Sequence, residues 1–133
     1  MPDWLDPKAP LLPRFLKQSG YATAHYGKWH LANDMIPDSP FPSAYGYDDY
    51  GSYNCAGPQL FVHDDVKSAI PFMKKSHAAG KPFFINLWMH EPHTPFHVLP
   101  KYRWWFQDLD DADNIYTATL AHADERIGQL LNV

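Results

Sequence analysis

Cysteine is almost missing from this chain. Cys55 stands alone among 133 residues, so no internal disulfide can staple the fold. No apolar run approaches the ~18 residues of a transmembrane helix. The start, Met-Pro-Asp-Trp-Leu-Asp, is acidic and short of apolar residues, so it does not read as a signal peptide. An excess of basic charge is also lacking. The net charge is −4 with both signs spread along the chain, which argues against a nucleic-acid partner. These absences point to neither nucleic acid nor membrane. No repeat or low-complexity tract is visible. What the chain does hold is aromatic residues, at 16%, and thirteen prolines, the composition of long ordered loops packed on a core. At this length one modest domain with a real core is possible.

The order of elements can be read from periodicity and punctuation. Pro13 suits a helix start, Leu12, Phe15 and Leu16 form a small apolar face, and Gly20 is placed to end the helix in a left-handed cap. Tyr21 to Tyr26 follows as a short strand. Residues 33–62, rich in proline, glycine and tyrosine, read as a long irregular excursion, which is uncommon unless functional. Asp64 and Asp65 can cap a helix that buries Val66, Ala69, Ile70 and Met73. Pro71 either kinks that helix or sits in its first turn, with the start near Ser68. Phe83 to Met89 is nearly continuous apolar, as in a parallel strand covered on both faces. Asp108 to Asp113 supplies acidic caps for a last helix, with an apolar stripe of Tyr116, Leu120, Ala123, Ile127 and Leu130. The alternation predicts an α/β layered fold with a mostly parallel sheet flanked by helices.

Two polar clusters each follow a predicted strand, at the end where such sheets bind ligands. The first is Gly27-Lys28-Trp29-His30. Gly27 lets the backbone turn, Lys28 is a point charge suited to an oxyanion, and His30 can move a proton near neutral pH. The second is His90-Glu91-Pro92-His93. With His97 it invites a metal reading, but Pro92 and Pro95 forbid a regular helix, and the string is one residue short of H-E-x-x-H. The residues alone weigh against a metal site. His63, His77 and His122 lie in or beside helices without a partner motif, and His25 reads as an outward or packing residue of the first strand. Trp104, Trp105 and Phe106 are expected to pack over the core edge rather than form a sugar platform.

The run from Gly20 to Leu31 closely resembles the sulfatase pattern G-Y-x-T-x-x-x-G-K-W-H-L. Lys81 through Phe96 is similar to the sulfatase stretch in which P-F-F and a buried strand lead to a P-H-x-P loop. Tyr116 through Leu131, with Asp124 and Gly128, is similar to the helix that follows it. The resemblance covers most of residues 8–131, with 33–64 matching loosely.

It implies a partial alkaline-phosphatase-like fold, residues 1–133 being a single incomplete domain from the middle of a sulfatase catalytic domain. It also implies a sulfate ester substrate, small or glycan, and a formylglycine nucleophile beside calcium or another divalent cation. By the same resemblance Lys28 contacts the sulfate, His30 serves as base in sulfate release, and His93 binds sulfate near the leaving oxygen as candidate proton donor. Many relatives are exported. The expected C-x-P-x-R motif is not in the chain, because the context of Cys55 departs from it, and no metal ligands of the family pattern are found. The isolated chain is therefore expected to be inactive. Two alternatives stay open: a phosphonate or phosphate ester hydrolase of the same superfamily, and a non-catalytic anion-binding module.

Overall fold

The computed structural model describes residues 4–32, 38–53, 65–96 and 98–133. Cys55, His63, Asp64 and His97 lie outside the described residues, as does the whole stretch 54–64. The chain divides into two compact units, residues 1–88 and 89–133.

The first unit opens with α1, Leu12–Gln18, which has Pro13 in its first turn. Gly20 adopts φ +88°, and the amides of Gly20 and Tyr21 donate to Lys17 and Leu16 carbonyls, so the expected left-handed cap closes the helix. Leu12 and Phe15 were expected to form a covered face. They are instead more than half exposed, and Pro13 is the buried residue of the helix.

Three strands follow: β1 at Ala22–Lys28, β2 at Asp49–Tyr53 and β3 at Phe83–Trp88. All pairs are parallel and the order is β2-β1-β3. Within the excursion read as irregular, Pro42–Tyr45 forms a 3₁₀ turn and β2 is a true strand. Its Asp-Tyr-Gly-Ser-Tyr sequence has weak strand propensity, and the ladder to β1 holds it. A Cβ on Gly51 would stand 3.3 Å from the Tyr26 ring, a tight contact that the ring would have to relieve by a few tenths of an ångström.

Between β2 and β3 runs α2, Asp65–Ala78, with Pro71 inside it at an exposed position. Of the two placements open in the sequence, the helix takes the earlier start. It buries Val66, Ala69 and Phe72, with Ile70 and Met73 half-buried. Side chains alternate along β1, so its two faces meet different partners. Tyr26 meets Phe72 of α2 edge-on. The other face carries a buried cluster of Trp29, Ala32, Tyr45 and Tyr47, against which Leu11 packs. β3 is less covered than its apolar run suggested. Among the described residues it pairs only with β1, and Phe83 and Trp88 at its ends are exposed.

The second unit contains α3, Pro100–Trp105, and α4, Asp111–Leu131. Asp110 caps α4 by accepting from the Asp113 amide at 3.0 Å, as the acidic run predicted. The apolar stripe read from the sequence is only partly covered, at Ala123 and Leu130. Tyr116, Leu120 and Ile127 are exposed, while Asn114, Ala118 and Thr119 form the buried face. Asn114 fixes that choice. Its carboxamide donates to the Arg103 and Phe106 carbonyls and accepts from Arg103 Nε, all at 2.8 Å, which seats α4 against the α3 turn.

Trp104 and Trp105 also depart from expectation. They are 69% and 55% exposed, because the short α3 turns only Tyr102 inward. No helix among the described residues is long and apolar enough to cross a membrane.

Candidate functional site

β1 and β3 end side by side, with Gly27 opposite Trp88. Gly27, the last residue but one of β1, turns the backbone locally at φ +103° while Lys28 stays in the ladder to β2. A Cβ on Gly27 would sit 1.9 Å from the Trp88 carbonyl oxygen and 3.1 Å from Asp65 Oδ2. Both conformation and space therefore require glycine. The turn sorts the next three residues. Lys28 is half-buried, Trp29 is buried at 5% exposure, and His30 is exposed. Trp29 sits edge-on to Tyr45 at 5.3 Å, in the core, which leaves Lys28 and His30 as the polar side chains at this end of β1.

Thr23, a fixed letter of the twelve-residue pattern, is fully buried and clamps the other end of the strand. Its hydroxyl donates to the Gly46 carbonyl at 2.8 Å, and its amide donates to Asp48 Oδ2 at 3.0 Å. Burial would raise the Asp48 carboxyl, but the Lys17 ion pair and the Thr23 bonds outweigh it and hold the pKa below the ordinary value. A cleft of about 490 Å³ at this amino end, bordered by Ala22, Asp48, Asp49, Phe72, Lys75 and Lys81, has neither Lys28 nor His30 in its lining.

His25 was read as an outward or packing residue, and it packs. It is 0% exposed and ringed by Trp29, Tyr47 and Trp88 at 4.8, 5.4 and 5.5 Å. Burial pushes its pKa down from 6.5 to about 4, against the opposing pull of the Lys28 and Gly27 backbone. The unfolded chain takes up a proton near 6.5 that the native state refuses until about pH 4. Stability should thus fall as pH drops through that window and level off below it, by roughly 3 kcal/mol at most. Thermal melts from pH 7 to 4 check this. His25→Gln should lose that part of the pH dependence, and an unchanged profile would contradict the assignment.

In the second unit, His93 is exposed within the Pro92-His93-Thr94-Pro95 loop. Its amide donates to the His90 carbonyl at 2.8 Å, and its Nδ1 bonds the Thr94 carbonyl. A carbonyl only accepts, so Nδ1 carries the proton and Nε2 is the nitrogen left for chemistry. His90 Nε2 meets the Pro95 carbonyl at 3.0 Å, which ties the loop into a turn. His122, seen in the sequence as partnerless, faces Glu91 at 3.5 Å with both side chains largely covered. It also lies against the Tyr102 ring. No spacing rule links position 91 to position 122, so the sequence carried no signal for that pair.

A divalent cation needs several oxygen ligands. Among the described residues no group of three or more His, Cys, Asp or Glu could hold one. The described residues by themselves do not fit a metal.

Comparison with known proteins gives the family of the chain. The Sulfatase family model matches residues 5–133. Human iduronate 2-sulfatase is 26% identical over 138 residues, covering 80% of this chain and 24% of its own length. The dog N-acetylgalactosamine-6-sulfatase is 26% identical over 123 residues, covering 66% of this chain and 23% of its own. The chain thus spans about a quarter of the length of these curated relatives. Among solved structures, Ps i-CgsB in complex with k-i-k-neocarrahexaose superposes with a TM-score of 0.81 at 18% identity, over 99% of this chain and 39% of that one. The Bacteroides fragilis protein yidJ, assigned as a sulfatase, gives 0.77 at 18% identity, over 97% and 40%. The parallel sheet flanked by helices is part of the alkaline-phosphatase-like α/β fold. With a family model spanning almost its whole length, the chain belongs to the sulfatase family.

Proposed function

We propose that this chain supplies the sulfate-gripping and proton-transferring side chains of a sulfuric ester hydrolase, while nucleophile and metal ligands are not among its residues. One observation carries the reading. A turn that only glycine can make leaves Lys28 and His30 at the carboxyl end of a parallel strand while Trp29 is locked in the core.

Sulfuryl transfer spreads negative charge over the peripheral oxygens, and a preorganised cation such as Lys28 stabilises it. His30 would accept the proton whose loss expels sulfate. His93, as the imidazolium with Nδ1–H on the Thr94 carbonyl, would donate its Nε2 proton to the leaving alcohol. The names of the relatives, an iduronate and a galactosamine sulfatase, support a sulfated carbohydrate as substrate class.

A chromogenic aryl sulfate with calcium tests this. The 133-residue chain alone should give no turnover. A full-length enzyme built around it should turn over and lose the activity with Lys28→Ala. Turnover by the chain alone that vanishes in Lys28→Ala would refute the incompleteness. A full-length enzyme indifferent to Lys28→Ala would refute the site.

A further inference from the structure

We propose that His25, held as the neutral Nε2–H tautomer, is a positioning residue that sets the direction of Lys28; this deepens the sulfatase reading and rests on it. His25 Nε2 lies 2.9 Å from the Lys28 carbonyl oxygen, and Nδ1 lies 3.1 Å from Asn86 Nδ2. The carbonyl can only accept, so Nε2 carries the proton. The carboxamide nitrogen can only donate, so Nδ1 is bare. Turning the Asn86 amide over would put its oxygen against Nδ1 and require an imidazolium in a fully buried, aromatic-lined site. The depressed pKa of the ring agrees with the neutral form.

The consequence is a bracket. From position 25 the ring reaches forward three residues, across the left-handed turn at Gly27, and grips the Lys28 backbone. Gly27 permits the turn but does not choose where it ends. His25 ties that end to Asn86 and Trp88 of β3, the neighbouring strand, and Trp29 packs edge-on against the same ring. A catalytic cation needs this support, since small misplacements are costly in rate.

The test uses the 133-residue chain, nitrogen NMR of the imidazoles, and titration with inorganic sulfate. The expected tautomer is Nε2–H with bare Nδ1 across neutral pH. His25→Leu keeps bulk but removes the donor, and should weaken sulfate binding about tenfold or more. His25→Gln can place an amide N–H where Nε2 was, and should stay within about threefold of wild type. A folded His25→Leu with unchanged affinity overturns the inference. Where His25→Leu does not fold, the other two readouts decide: a folded His25→Gln of near wild-type affinity with the Nε2–H tautomer in wild type supports it, and an Nδ1–H tautomer or a tenfold loss in His25→Gln overturns it. A wild-type chain that ignores sulfate, or binds it equally with Lys28→Ala, overturns the reading of Lys28 and this inference with it. Sensitivity to Lys28→Ala without sensitivity at His25 overturns this inference alone.

Discussion

Gly27→Ala should unfold the first unit, or destabilise it by about 3 kcal/mol or more. Two penalties add. A non-glycine residue at φ +103° is strained by itself. The added methyl would also stand 1.9 Å from a backbone carbonyl oxygen of β3, an obstacle that cannot swing away as a side chain tip could. Relief requires β1 and β3 to part where Gly27 pairs with Trp88. Urea or thermal denaturation of the variant beside wild type measures the effect. A loss under about 0.5 kcal/mol, the range of ordinary surface changes, would show that the turn is not built as described.

His93→Ala should lower kcat by about 10²–10⁴-fold in a full-length enzyme carrying this chain, with a smaller change in KM. A group that acts mainly on charge developing at the leaving oxygen contributes to the transition state more than to the bound substrate. Aryl sulfates with better leaving groups should be less affected, because their oxygen needs the proton less. Steady-state kinetics over a leaving-group series tests both statements. An unchanged kcat would remove His93 from the mechanism.

Much of the fold could be read from the residues because several signals were local. Gly20 sits where a helix must end left-handed, Asp110 caps α4 through its own side chain, and the apolar run from Phe83 makes a strand. β2 was hidden because its strand character is not local. Asp49 to Tyr53 carries no β-branched residue and depends on β1 for its pairing. The face of α4 was misread for a related reason. Periodicity shows that Tyr116, Leu120 and Ile127 share a side, but burial follows from the bonds of Asn114 to α3, which periodicity does not encode. Trp104 and Trp105 are a similar case, since only Tyr102 of that short helix is buried.

For the site, the glycine-lysine-tryptophan-histidine order announced the turn and its two polar residues. Their support was not visible. His25 and His122 are isolated histidines in sequence, and each acquires its partner only when distant elements meet: Asn86 and Trp88 for one, Glu91 and Tyr102 for the other. A lone histidine carries no spacing pattern, so only its neighbours in space reveal what it holds.

The central proposal, which rests on the sulfatase sequence pattern, is that Lys28, His30 and His93 serve one small tetrahedral anion. A crystal structure of the full-length enzyme with sulfate bound tests it most directly. The account predicts Lys28 Nζ and the His93 ring each ~3 Å from sulfate oxygens. It predicts the polar tips of Lys28, His30 and His93 roughly 4–9 Å apart around the anion, and His25 outside that shell with its Nε2 on the Lys28 carbonyl. Lys28 and His93 on opposite faces of the sheet, with sulfate bound elsewhere, would contradict it.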